Sequence, residues 1–222
     1  MPIRGLFAFL TATSLFALAT PARADVPVDA GSFVVSLDHV VPVLSIAHDS
    51  ALAASSTNVT TGNPPGATTP YNVPRWGFDV MPVRHLTLGA TTSLLVATGS
   101  PSNAPGADPI VTLFSFGPRV GYLAPVAKEV AFWPRAGVVM SESYSRGYDD
   151  TGKPTRELRT DAGVSAEVAV VAAPIPILGV TMGIGTILPF AGKIERTVGN
   201  VTTSGGVAHT QFVIDGGILA HF

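Results

Sequence analysis

Along much of the chain, apolar and polar residues alternate one by one. In "LFSFGPRVGY" the residues Phe114, Phe116, Pro118, Val120 and Tyr122 share one phase, and Ser115, Gly117, Arg119 and Gly121 share the other. The carboxy-terminal segment sets Phe212, Ile214, Gly216, Ile218, Ala220 and Phe222 against Gln211, Val213, Asp215, Gly217, Leu219 and His221. "LRTDAGVSAEV" sets Arg159, Asp161, Gly163, Ser165 and Glu167 against Thr160, Ala162, Val164, Ala166 and Val168. A period of two places successive side chains on opposite faces of a β-strand. Each strand therefore has one apolar face and one that is small, polar or charged.

Eight such segments follow one another, roughly 32–48, 72–81, 86–98, 111–123, 130–144, 156–171, 179–190 and 207–222. The second, fourth and sixth links are tight ("PVRH", "APVAKE", "AAPIPIL"). The first, third, fifth and seventh are longer and rich in Gly, Asn, Ser, Thr and Pro, as in "TNVTTGNPPGATTP". Short turns at one rim and long polar loops at the other predict an all-β fold, an eight-stranded antiparallel up-and-down barrel. Val168 to Gly192 carries no charge, as a membrane helix would. Pro174, Pro176, Gly179, Gly183, Gly185 and Pro189 interrupt it, so two strands meeting at a hairpin are expected.

Composition sharpens the choice of solvent. Only 13% of residues are charged and 46% are hydrophobic, yet 23 glycines and 19 prolines rule out a helical membrane protein. There is no cysteine, which excludes thiol catalysis, thiolate metal sites and disulfides. Met1 to Ala24 has an early Arg4, an apolar stretch from Leu6 to Ala19 and the ending "ARA", the layout of a cleavable secretory signal. The expected domains are a signal peptide at 1–24 and a single barrel at 25–222. Two of the 13 basic residues and none of the 15 acids lie in the leader, so the mature chain is acidic and does not attract nucleic acid.

Alternation by itself does not say which face points inward. A soluble lipocalin-like barrel buries its apolar phase, and a membrane barrel turns it to lipid. Glycine is dense in the polar phase (Gly89, Gly117, Gly163, Gly183, Gly217), which suits a narrow interior holding charged side chains. Trp76, Phe78, Phe132 and Tyr122 lie in the apolar phase near strand ends, where interfacial girdles belong. A signal peptide, eight alternating strands, short turns opposite long loops and a final "DGGILAHF" together resemble the small outer-membrane β-barrel proteins of Gram-negative bacteria. The resemblance implies a transmembrane barrel in the outer membrane, with short periplasmic turns, longer extracellular loops and lipopolysaccharide among its lipid partners. It also implies that Phe222, Ala220 and Ile218 form the signal read by the barrel-assembly machinery, and that the protein is monomeric.

One motif occurs three times: "VPRWGFD" at Val73 to Asp79, "GPRVGYL" at Gly117 to Leu123 and "WPRAGVV" at Trp133 to Val139. In each, the proline falls in the apolar phase, and Arg75, Arg119 and Arg135 fall in the polar phase with Gly77, Gly121 and Gly137. Each glycine is expected to leave a gap for the arginine two residues before it. A strand proline removes a ladder donor, so bulges are expected at the motifs. Asp38, Asp79, Asp161, Glu167 and Asp215 share the lumen phase. An eight-stranded barrel is just wide enough for side chains to fill. A salt-bridged lumen network is therefore expected, with Arg119 and Arg135 facing the acids of the first, second, sixth and eighth segments. Its reading is structural rather than catalytic.

Other candidate chemistry is weaker. His39, His48, His85, His209 and His221 show no metal-ligand spacing, and neither metal nor cofactor is expected. A lipid-modifying site assembled from "SESYS" (Ser141 to Ser145) and His39 has no fixed geometry. "NVT" at Asn58 and Asn200, and "GYDDTGK" around Gly152, read as polar loops. The expected role is non-enzymatic, structural or surface-interacting, through the loop Asp49 to Tyr71 and the loop Arg146 to Thr155. A narrow passive pore and a periplasmic lipocalin-like binder of apolar ligands are the alternatives.

Overall fold

The computed structural model describes residue 26 and residues 28–51, 54–60, 73–98, 110–148 and 152–222. The expected leader at 1–24 and most of the first long loop lie outside them. Among the described residues the strands are β1 (Phe33–Ala51), β2 (Ala54–Thr60), β3 (Arg75–Val83), β4 (Leu86–Thr98), β5 (Ile110–Tyr122), β6 (Ala124–Ala127), β7 (Val130–Tyr148), β8 (Pro154–Ala172), β9 (Leu178–Val198) and β10 (Val201–His221).

Antiparallel pairing runs β1, β3, β4, β5, β7, β8, β9, β10 and returns to β1, which closes a ring of eight. The two short strands do not add to it. β2 pairs with the upper part of β1, beyond the stretch that β3 occupies. β6 continues β5 past Leu123 and pairs with the start of β7. Closure leaves no edge along the seam between β1 and β10, where Phe33 and Phe222 exchange both backbone hydrogen bonds at 2.9 Å. Tight links at Arg84–His85, Lys128–Glu129 and 173–177 gather at one rim.

The apolar phase faces out. Trp76, Phe78, Phe116, Val120, Tyr122, Phe132, Val164, Val168, Met182, Ile184 and Leu188 are all exposed, while the inward residues that alternate with them are buried or, at Gly183, half-buried. A lipocalin-like barrel would have the opposite sidedness. No helix among the described residues is long and apolar enough to cross a membrane. The strands themselves supply an exterior that matches lipid.

Two sequence expectations need correction. The seventh link is no long loop. β9 and β10 run on to a two-residue turn at Gly199 and Asn200, with Gly199 at φ 58°, a left-handed conformation that glycine adopts without strain. The motif prolines cause no bulges either. Pro74 precedes β3, while Pro118 opposite Ala90 and Pro134 opposite Val168 sit in unbroken register. Losing one donor costs a rung and needs no extra residue. The register shifts fall elsewhere, at Leu37/Val41 and Pro42/Leu44 in β1, Val80/Val83 in β3, Pro125/Ala127 in β6, Ala162/Gly163 against β9, and Gly206/Gln211 in β10.

The inner face is layered. At the short-turn rim Val34, Met81, Leu123, Ala131, Trp133, Ala169, Val171, Ala173 and Leu219 form an apolar floor joined by Val26. The segment before β1 crosses this rim as a strap. Val26 donates to the Lys128 carbonyl, His85 donates to that of Val28, and Gly31 donates to that of Met81, at 2.8 to 2.9 Å.

Candidate functional site in the barrel lumen

Directly above the floor the three motif arginines converge. Asp38 Oδ2 accepts from Arg119 Nη1 at 2.9 Å and Arg135 Nη1 at 3.1 Å, with Arg75 Nη2 at 3.5 Å. Glu167 takes Arg75 Nη2 at 2.6 Å on one oxygen and Arg135 Nη2 at 3.0 Å on the other. Arg119 also grips Asp79 with two nitrogens, Nε at 3.0 Å and Nη2, and Nη2 reaches Ser36 Oγ at 3.2 Å. Three cations thus meet three anions from β1, β3, β5, β7 and β8. All six are buried; the most exposed, Glu167, shows 9% of its surface. Burying charge is tolerable when it is paired and hydrogen-bonded in this way.

Glycine makes the room, but for a neighbouring strand's arginine. Asp79 is opposite Gly89, Gly89 opposite Arg119, and Arg119 opposite Gly137. In the adjacent row Gly121 is opposite Arg135, Arg135 opposite Glu167, and Glu167 opposite Gly185. A Cβ at Gly121 would stand 3.0 Å from Arg135 Cγ, and one at Gly137 3.1 Å from Arg119 Cα. The motif glycine therefore does not serve the arginine two residues before it, because both point the same way from one strand. The space it leaves is sideways, where the next strand's side chain lies.

Asp161 and Asp215 stand with other partners. Asp161 pairs with Arg159 Nε at 2.6 Å. Asp215 Oδ2 lies 3.0 Å from His39 Nε2. The β1 bulge explains His39. Its φ of 62° and the register shift after Leu37 turn two consecutive residues, Asp38 and His39, inward together. Strict alternation from Asp38 would set His39 on the opposite face, so its place in the lumen was not legible in the sequence. Facing into the lumen, its ring is directed away from the lipid face on which a lipid-modifying site would need it.

Trp133 was also missed, although its phase, two residues before Arg135, carried the signal. Its ring lies under both Arg135 (4.6 Å) and Arg119 (5.5 Å), and its Nε1 donates to Thr87 Oγ1 at 3.1 Å. It joins the apolar floor to the charged layer through cation–π contact. Above the network Gln211 Nε2 donates to Ser45 Oγ at 2.8 Å. No cluster of metal-binding side chains occurs among the described residues. On the outside of β10, Ile218 and the terminal Phe222 are exposed and Ala220 is half-buried.

No protein-family model matches the chain, and no curated protein matches it in sequence. Similar solved structures include Ail, the attachment invasion locus protein of Yersinia pestis, at 7% identity and TM-score 0.44, covering 87% of this chain and 99% of that one. Neisserial surface protein A shows 18% identity and TM-score 0.45, covering 86% and 99%. The outer membrane protease OmpT from Escherichia coli shows 11% and 0.43, covering 89% and 99%. At such identities and TM-scores the assignment rests on this chain's own strand pairing and exposure. A closed ring needs no water for its backbone, and an apolar exterior needs lipid. The outer membrane is where single-chain rings of this kind reside. By its eight antiparallel strands, its closure and its outward apolar belt, the chain has the fold of the small outer-membrane β-barrels.

Proposed function

We propose that the protein is a non-conducting outer-membrane barrel whose role is structural or surface-interacting rather than catalytic. The observation that carries this reading is the Asp38-centred network, which spans the interior between five strands. The spaces beside it are small, about 10 Å³ at the arginines and about 20 Å³ above them, near His209 and Asp161. Each holds on the order of one water, which supports a closed lumen. The apolar floor and its strap reinforce the block at the periplasmic rim. Among the described residues the lumen carboxylates Asp38, Asp79 and Glu167 are committed to arginines, as is Asp161, which supports a non-enzymatic role. Ile218, Ala220 and Phe222 serve assembly, as the outward phase of the last strand at the closing seam.

The test is planar-bilayer conductance of the mature chain refolded in detergent, with folding verified by heat-dependent gel mobility. Insertion without current is expected. Reproducible stepwise currents that change in Arg119→Ala would overturn the closed lumen in favour of a narrow pore.

A further inference from the structure

Above the belt, the outer wall over β5, β7, β8 and β9 carries an unusual sequence of rows. The lowest row, Phe116, Met140, Ala162 and Ala191, sets two small side chains beside two large ones. The next is Phe114, Glu142, Thr160 and Lys193. Together these rows frame a shallow groove of about 700 Å³, apolar below and polar above. Two rows higher, Arg146 stands directly opposite Arg156 on the same outward face, both exposed.

Like charges placed opposite one another destabilise a strand pair, and among the described residues neither arginine makes an ion pair. At roughly 3.4 Å per residue they lie about 14 Å along the strand beyond Glu142. That is above the apolar belt, at the depth of lipid headgroups and the sugars attached to them. Lys193, 62% exposed at the head of the groove, is paired with Glu195 and leaves the two arginines as the cations above it.

We propose that this wall binds a phosphorylated glycolipid of the outer leaflet, with an acyl chain in the groove and a phosphate between Arg146 and Arg156. Guanidinium pairs match phosphate oxygens bidentately, and an anion between them relieves their mutual repulsion. The proposal rests on the membrane-spanning reading and extends it to a defined lipid subsite.

The test uses the full mature chain, refolded in detergent and immobilised. It is titrated with lipopolysaccharide, with phosphatase-treated lipopolysaccharide, and with inositol hexakisphosphate as an acyl-free polyanion. Removing phosphate, or the double substitution Arg146→Gln/Arg156→Gln, is expected to weaken lipopolysaccharide binding about tenfold or more. Ala162→Trp, which fills the groove from the lipid side, is expected to weaken lipopolysaccharide and leave inositol hexakisphosphate unchanged. Ala191→Phe replaces it if that variant fails the heat-dependent gel shift. Retention of full affinity by the arginine variant overturns the proposal, as does a folded barrel that binds no lipopolysaccharide. Equal binding of the acyl-free polyanion with a silent groove variant overturns it in favour of a soluble anion. A chain that does not insert into vesicles at all defeats the membrane reading instead, so the two failures are distinguishable.

Discussion

Asp38→Asn is the most informative single substitution in the lumen. It keeps the shape of the side chain and removes one negative charge from a site where three cations balance three anions. Asp38 is 2% exposed, so water does not replace what is lost. The cost is less than three separate bonds, since Arg119 keeps Asp79, and both Arg75 and Arg135 keep Glu167. Leaving one buried cation in excess is expected to cost about 3 to 5 kcal/mol. The assay is equilibrium unfolding by guanidinium in detergent micelles, followed by tryptophan emission. Trp133, in contact with Arg135 and Arg119, reports the site itself. The charge-restoring double variant Asp38→Asn/Arg75→Gln is expected to recover at least about 1 kcal/mol of the loss, as coupled neighbours do. A single-variant cost below about 1 kcal/mol, or a double variant whose losses simply add, would refute the reasoning that charge balance governs the site.

Val120→Arg, on the outward face, is expected to lower stability by about 2 to 4 kcal/mol, since it buries charge in lipid; an unchanged unfolding midpoint would mean that face is wet. Gly137→Ala presses a methyl onto the Pro118 carbonyl and Arg119 Cα and is expected to cost about 1 to 3 kcal/mol. Gly206→Ala, with nothing within 4 Å, should stay within about 0.5 kcal/mol in the same unfolding experiment. Phe222→Ala leaves both backbone bonds to Phe33 in place, so refolded stability should change by no more than about 0.5 kcal/mol while the amount of barrel assembled in cells falls. Normal assembly of that variant would remove Phe222 from the insertion signal.

The sequence reveals what depends on the local period. Alternation announces the lipid face because lipid demands apolar side chains at every second residue, so Phe114 to Tyr122 could be read directly. It says less about the lumen, where Trp133 and Leu219 in the floor, and Val213 packed with Val139 and Ile187, occupy the supposedly polar phase. Distance along the chain hides the pairings: Asp38 and Arg135 are 97 residues apart and meet only because the ring has a fixed circumference. The bulge at His39 is invisible for a related reason. The register slips by two residues between Leu37 and Val41 and by one more before Leu44, and no neighbouring residue type marks where this happens. The hairpin at Gly199 was disguised by polar composition, since strands that rise beyond the membrane lose the apolar face by which they were recognised.

The strap across the short-turn rim sets an order of events. Its anchors are the Lys128 carbonyl, the His85 amide and the Met81 carbonyl, and the floor on which Val26 rests draws on Leu219 near one terminus and Val34 near the other. These groups come from separate parts of the chain, and the floor that joins them is complete only in the closed ring. The strap from Val26 to Gly31 therefore has its full set of contacts only when the ring is closed, and its protection from an added protease is a clock for completion of the barrel.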